Sequence, residues 1–153
     1  MGKMFERYSR QMLFSPIGEN GQERLQNSSV FIVGMGALGT AVANQLVRAG
    51  VGKVSFADRD YVELSNLQRQ MLFDEDDVAE ALPKAVAAER KLKKLNRNVE
   101  INGHVLDVTA ENIQSLLDGV DLIIDGTDNF MTRFLLNDAA FMKRIPFIYG
   151  GVV

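Results

Sequence analysis

A short run of β-branched and aromatic residues, Ser29–Val33 (SVFIV), leads directly into Gly34-Met35-Gly36-Ala37-Leu38-Gly39. An amphipathic stretch with helical spacing follows. A G-x-G-x-x-G loop between a buried strand and a helix constrains the backbone closely. Gly34 permits the tight turn, Gly36 lets the backbone approach a phosphate, and Gly39 lets helix and strand pack closely. The helix start adds free N–H groups and the positive end of its dipole. The spacing predicts a helix over Thr40–Ala49, with Val42, Leu46 and Ala49 on one face and Gly50 as its stop. Asp58 lies 19 residues beyond Gly39, at the end of a second strand, Lys53–Ala57. That place suits a carboxylate accepting from ribose hydroxyls, and it disfavours a 2′-phosphate. The loop marks a nucleotide site without separating NAD from ATP.

The remaining chain repeats the alternation. Helices are predicted over Pro83–Leu95 (Val86, Leu92 and Leu95 inward), Ala110–Leu117 and Phe130–Lys143. Strands are predicted over Val99–Val105, Asp121–Ile124 and Pro146–Tyr149. Strand–helix alternation implies an α/β chain: a Rossmann-like, doubly wound, mostly parallel sheet with helices on both faces. Residues 1–28 read as an N-terminal helical extension broken at Ser15-Pro16, and 29–153 as the nucleotide-binding domain. The apolar end, Pro146–Val153, leads us to expect further protein beyond it.

Composition narrows the function. The 153 residues carry 17 Lys+Arg against 20 Asp+Glu, a net charge of −3, which argues against broad nucleic-acid binding. No apolar run is long enough for a membrane span, and the N-terminus lacks a signal-peptide core. With no cysteine there is no disulfide, Cys-based zinc site or Cys nucleophile, and a reducing, cytoplasmic setting is expected. The single histidine, His104, reads as structural rather than catalytic.

Several charged residues exceed what a plain dehydrogenase half needs. Arg69 has the planar fork for phosphate oxygens, and Asn66 suits ribose or phosphate, although the Asn66–Gln70 stretch also reads as a solvated loop. Lys84 falls in a first helical turn, where a cation opposes the dipole by roughly 0.3–1 kcal/mol unless a polyphosphate reverses the sign. Asp128 ends the fourth strand's loop and suits Mg²⁺, while Asp128 or Asn129 equally suits a helix N-cap. The basic run Lys91, Lys93, Lys94 and Arg97 reads as a solvated helix face.

Taken together, six separated pieces resemble the ThiF/MoeB/HesA family, related to ubiquitin-activating enzymes. They are Arg7-Tyr8-Ser9-Arg10-Gln11, the Gly34–Gly39 loop, Asp58-x-Asp60, Asn66-Leu67-Gln68-Arg69-Gln70, Pro83-Lys84 and Asp125-Gly126-Thr127-Asp128-Asn129. The resemblance covers nearly the whole chain and fits the family's N-terminal, adenylation half. It implies ATP·Mg²⁺ binding and adenylation of the C-terminal Gly-Gly carboxylate of a ubiquitin-like sulfur carrier, with pyrophosphate release. It assigns nucleotide contacts to Gly34, Gly36, Gly39, Asp58, Asp60, Asn66, Arg69, Lys84, Asp128 and Asn129. Arg69 and Lys84 would stabilise the transition state, and Asp128 would hold Mg²⁺. Arg10 resembles an arginine finger reaching the other subunit's ATP, which implies a homodimer.

Two departures stand out. The family usually shows Gly-x-Pro-Lys after the Arg-Gln pair; here Val78–Lys84 is longer and lacks the glycine, so a different route to Lys84 is expected. Ala37 replaces a frequent glycine. The family's zinc site of two Cys pairs has no counterpart here and would need a region beyond Val153. The alternatives are an NAD-dependent oxidoreductase half and a non-catalytic nucleotide-binding or dimerisation module.

Overall fold

The computed structural model describes residues 3–151. Five strands form one parallel sheet in the order β3-β2-β1-β4-β5. They are β1 (Ser29–Val33), β2 (Lys53–Ala57), β3 (Glu100–His104), β4 (Leu122–Asp125) and β5 (Phe147–Tyr149). The helices are α1 (Lys3–Met12), α2 (Gly18–Gln26), α3 (Ala37–Ala49), α4 (Glu75–Ala79), α5 (Lys84–Leu95), α6 (Ile113–Leu116) and α7 (Phe130–Lys143). All four strand pairings are parallel, with Val30 opposite both Val54 and Leu122.

Strand alternation sorts the core. Val30 and Ile32 join Val54, Phe56 and Ile101 beneath Ala43, Val47, Ala88 and Leu92 of α3 and α5. Phe31 and Val33 face the other way, onto Ile113, Leu136, Ala139 and Ala140 of α6 and α7. Both faces are thus covered, which is why the strands read as continuous apolar runs. Each fully buried Phe or Ile contributes roughly 1.5–3 kcal/mol.

Two expectations shift. The buried face of α3 centres on Gly39, Thr40, Ala43 and Val47, while Val42 and Leu46 pack at its margin. Small residues sit there because the helix lies close to the sheet. On α5, Leu92 is buried, with Ala85, Ala87 and Ala88, whereas Val86 and Leu95 are half-buried. The α3 helix also begins earlier than Thr40, so Gly39 lies inside its first turn.

The five-residue α4 lacks enough length to show periodicity. Its N-cap is Asp74, which accepts from the Asp77 N–H at 3.2 Å, while the Asp77 carboxylate accepts from the Asp74 N–H at 2.9 Å. Lys91 bridges both carboxylates and is only 21% exposed, so it does not belong to the solvated face that Lys93 and Lys94 form. Burial opposes the charge on Lys91, but its hydrogen bonds to Asp74 and Asp77 hold its pKa above the ordinary value. The same bond to Lys91 holds the Asp74 carboxyl below the usual range.

Candidate nucleotide site at the switch point

Strand order reverses between β1 and β4, and the loops leaving these strands flank a crevice of the kind where open α/β sheets bind ligands. Three glycines shape the β1 loop differently. Gly34 has φ +88°, and a Cβ there would lie 3.1 Å from Gly126 and Thr127 in the opposite loop. At Gly39 a Cβ would lie 1.8 Å from the Gly34 carbonyl, so helix and loop interlock. Gly36 is unlike both. It N-caps α3 in an extended conformation, and a Cβ there would meet only Gln70 Nε2, at 3.7 Å. The protein's own packing does not require glycine at Gly36. The space beside it is open.

Asp58 ties this loop to the next. Its Oδ2 accepts from the Met35 N–H at 2.7 Å and its Oδ1 from the Asp60 N–H at 2.7 Å. A carboxylate has further lone pairs, so ribose hydroxyls remain within its capacity. Residues 60–62 run antiparallel to 82–84: Lys84 N–H donates to the Asp60 carbonyl at 2.8 Å and Val62 N–H to Leu82. Lys84 is 8% exposed, and its Nζ lies 3.5 Å from Asp60 Oδ2. That contact is loose for a buried ammonium.

The expected different route to Lys84 resolves simply. Ala81 adopts φ +50°, the left-handed conformation that glycine favours, so Ala81-Leu82-Pro83-Lys84 keeps the Gly-x-Pro-Lys spacing with an alanine at the turn.

Arg69 is exposed, donates to the Ser65 carbonyl at 3.1 Å, and has no carboxylate partner among the described residues. It lines a groove of about 480 Å³ with Ala37 and Thr40 of α3's first turn. Asn66 is 8% exposed, and its Oδ1 accepts from the Glu63 N–H to cap the single 3₁₀ turn Leu64–Asn66. Gln70, unassigned by sequence, is buried beside Gly36 with its Oε1 unpartnered.

Across the crevice, Asn129 proves to be the N-cap of α7: its Oδ1 accepts from Met131 N–H at 2.9 Å and Thr132 N–H at 3.3 Å. Asp128 is exposed, with no hydrogen bond or ion pair among the described residues, so its carboxylate is available to a cation. No cluster of three metal-ligating side chains occurs among the described residues. One carboxylate with substrate phosphates is a usual Mg²⁺ arrangement.

The loop's shape rests on a pair that sequence reading missed. Fully buried Asp125 takes Arg133 Nε at 2.6 Å and the Thr127 N–H at 2.8 Å. Arg133 also donates to the Thr127 and Gly150 carbonyls and lies between the Phe130 and Tyr149 rings. No local pattern announces it, because its partners come from a loop, a helix and two strand ends.

One assigned residue stands apart. Arg10 is exposed on α1, and Gln11 beside it is hydrogen-bonded to the Ala49 carbonyl, at the far end of α3 from Gly36. A 13-residue helix is about 20 Å long. No arginine side chain spans that distance, so Arg10 does not reach its own glycine loop.

The model of the ThiF family matches residues 8–153. The chain belongs to the ThiF family. It is 57% identical over 150 residues to the sulfur carrier protein ThiS adenylyltransferase of Bacillus subtilis (strain 168), covering 98% of this chain and 45% of that protein. It is 44% identical over 147 residues to a Thermus thermophilus sulfur carrier protein adenylyltransferase, covering 96% of this chain and 54% of the relative. Among solved structures, E. coli MccB with ATP matches at TM-score 0.81 and 31% identity, over 96% of this chain and 44% of that one. The chain spans about half the length of these relatives.

Proposed function

We propose that this ThiF-family chain is the nucleotide-binding half of an ATP-dependent adenylyltransferase. Its substrate is the C-terminal Gly-Gly carboxylate of a small ubiquitin-like sulfur carrier, of the thiamine-type pathway. The observation that carries this reading is the 57% identity to the ThiS adenylyltransferase across 98% of the chain. The crevice supports it. Gly36 leaves room at a helix N-terminus, Lys84 and Arg69 offer cations without tight carboxylate partners, and Asp128 offers a free carboxylate.

The carboxylate oxygen of the carrier forms a bond to the α-phosphorus, and the bond to pyrophosphate breaks. No side-chain nucleophile is needed. The protein's work is orientation and neutralisation of growing charge. Asp58 orients ribose, and the N–H groups of residues 36–39, past those that Ala57 and Asp58 already hold, face the phosphates. Lys84 and Arg69 balance charge on the leaving group, while Asn66 holds the turn that carries Arg69. Asp128 would hold Mg²⁺, which would supply charge to screen repulsion between the carboxylate and the phosphates. Arg10 acts on the nucleotide of a second copy, in a homodimer. Its distance from its own loop supports that assignment. A zinc site of two Cys pairs would draw its cysteines from outside these 153 residues, which have none.

In the full-length enzyme, Arg69→Ala or Asp128→Ala is expected to lower carrier-dependent ATP–pyrophosphate exchange on the order of 10²–10³-fold while the melting temperature holds. Full exchange by either folded variant would remove its assigned role. Calorimetric titration with ATP·Mg²⁺ and with NAD⁺ separates the oxidoreductase alternative, which requires NAD⁺ binding without ATP binding. ATP binding with no exchange in the full-length protein would favour the non-catalytic module.

A further inference from the structure

We infer that Tyr8, Gln11, Gln22 and Asn96 are positioning residues: a buried polar clamp that fixes α1 across the C-terminal ends of α3 and α5 and so sets the direction of Arg10. The inference rests on the adenylation reading and its arginine acting in trans.

The clamp is built from directional bonds rather than an apolar seam. The Tyr8 ring is 3% exposed and lies over Gly50, where a Cβ would come within 2.4 Å of its Cζ. Its hydroxyl accepts from Asn96 Nδ2 at 2.8 Å, and the same nitrogen donates to the Val47 carbonyl at 2.9 Å. Gln11 Nε2 donates to the Ala49 carbonyl at 2.8 Å and to Gln22 Oε1, while Gln22 Nε2 donates to Ala49 at 3.0 Å. Gln22 and Asn96 are 0% and 1% exposed. Arg7 adds a bond to the Leu95 carbonyl, the last residue of α5, at 3.1 Å.

Arg7, Tyr8 and Gln11 therefore form the docked face of α1. Arg10 precedes Gln11 by one residue and is turned about 100° from it. An apolar helix face tolerates sliding and rolling. Hydrogen bonds to fixed carbonyls do not, because their strength falls steeply with angle. A buried glutamine, a half-buried one and a buried asparagine at a helix-end contact are an expensive way to achieve stability alone, since leucines would pack as well. What they add is one orientation for α1. An arginine acting across a subunit boundary needs that orientation fixed before the second copy arrives.

The test uses the full-length enzyme. Tyr8→Phe keeps the ring over Gly50 and removes the acceptor of Asn96. Gln22→Leu removes the bridge between Gln11 and Ala49. Together they should lower kcat for exchange about 10- to 100-fold, as a small misplacement does, with KM for ATP nearly unchanged. If the pair does not fold, Tyr8→Phe alone should show the same split in smaller measure. In an Arg10→Ala background the clamp substitutions should cause no further loss, since both act through one group.

Mixed dimers give the sharpest outcome. One differently tagged subunit carries the clamp variant and the other carries Arg69→Ala. The clamp subunit's intact phosphate site is then served by an undisturbed α1, and exchange should return to about half the wild-type level. An unchanged kcat in the folded clamp variant, a further loss from the clamp substitutions once Arg10 is already alanine, or no recovery in mixed dimers would each overturn the inference. Full exchange by Arg10→Ala alone would overturn the trans-arginine reading itself, and the clamp's role with it.

Discussion

The two ends of α3 are finished in opposite ways. At its N-terminus the cap residue Gly36 has open space beside it, and the side-chain Oε1 of nearby Gln70 lacks a partner. At its C-terminus the Ala49 carbonyl takes two side-chain donors, and Gly50 is covered by the Tyr8 ring. Both caps are glycines. One has open space beside it, and the other lets the protein close over itself. A helix end with unsatisfied groups and free space is a binding feature, whereas a helix end fully satisfied by buried side chains is an anchor.

Substitutions at glycines break this contrast most directly. Gly39→Ala places a Cβ 1.8 Å from a backbone oxygen, and a loss on the order of 4–5 kcal/mol is expected in denaturant titration. Gly36→Ala, three residues away, should change stability by less than about 1 kcal/mol yet weaken ATP binding at least about tenfold by calorimetry. Equal destabilisation by the two would mean that the N-terminal end is not open.

Gly50→Ala tests the closed end. Its φ of +85° and the Tyr8 ring at 2.4 Å both oppose a side chain. Left-handed strain and overpacking together should cost about 2–4 kcal/mol in thermal melts. A neutral result would show that Tyr8 does not lie over this glycine.

Ala81→Gly works in the other direction. It relieves a left-handed alanine at φ +50° and should raise stability by about 1 kcal/mol, leaving exchange unchanged. The smallest effect compares the neutral clamp with the ionic contact of Lys91. Asp74 titrates below its ordinary value of 3.8 because Lys91 bonds it. Its stabilising share is complete above that value and disappears as pH falls through the lowered one. Glu89, lowered against its burial by Lys93 and the Gly103 N–H, behaves alike. Hydrogen exchange followed from pH 7 to pH 3 should therefore loosen α4 before α1. Simultaneous loosening would show that the clamp shares the ionic dependence.

Much of this was legible in the sequence, for reasons that differ by element. The ends of β1, β2 and α7 fall where the sequence puts them, because Gly34, Asp58 and Asn129 interrupt clear periodicities. The buried face of α3 was misplaced, since hydrophobicity favours Val42 and Leu46 while close packing on the sheet selects Gly39 and Ala43. Helix α4 escaped notice, although Asp74-x-x-Asp77 is a capping signal that a search for carboxylate pairs would catch. The candidate residues come from motifs; the structure ties Asp58 to the Gly34–Gly39 loop and Lys84 to Asp60, sets Arg69 beside the first turn of α3, and leaves Arg10 at the far end of α3. The Asp125–Arg133 pair was invisible because its meaning lies in burial, which no local window reports.

The pairing of Val30 with Leu122 has a consequence in time. The two positions are separated by 92 residues, so β1 leaves the ribosome long before its β4 neighbour exists. At 5–20 residues per second that interval is about 5–20 s. During it β1, which leads into the glycine loop, has β2 on one side and nothing yet on the other. A nascent chain halted before β4 emerges should leave β1 exposed along one side. The pace of translation at this stretch then governs how long that apolar edge waits for its partner.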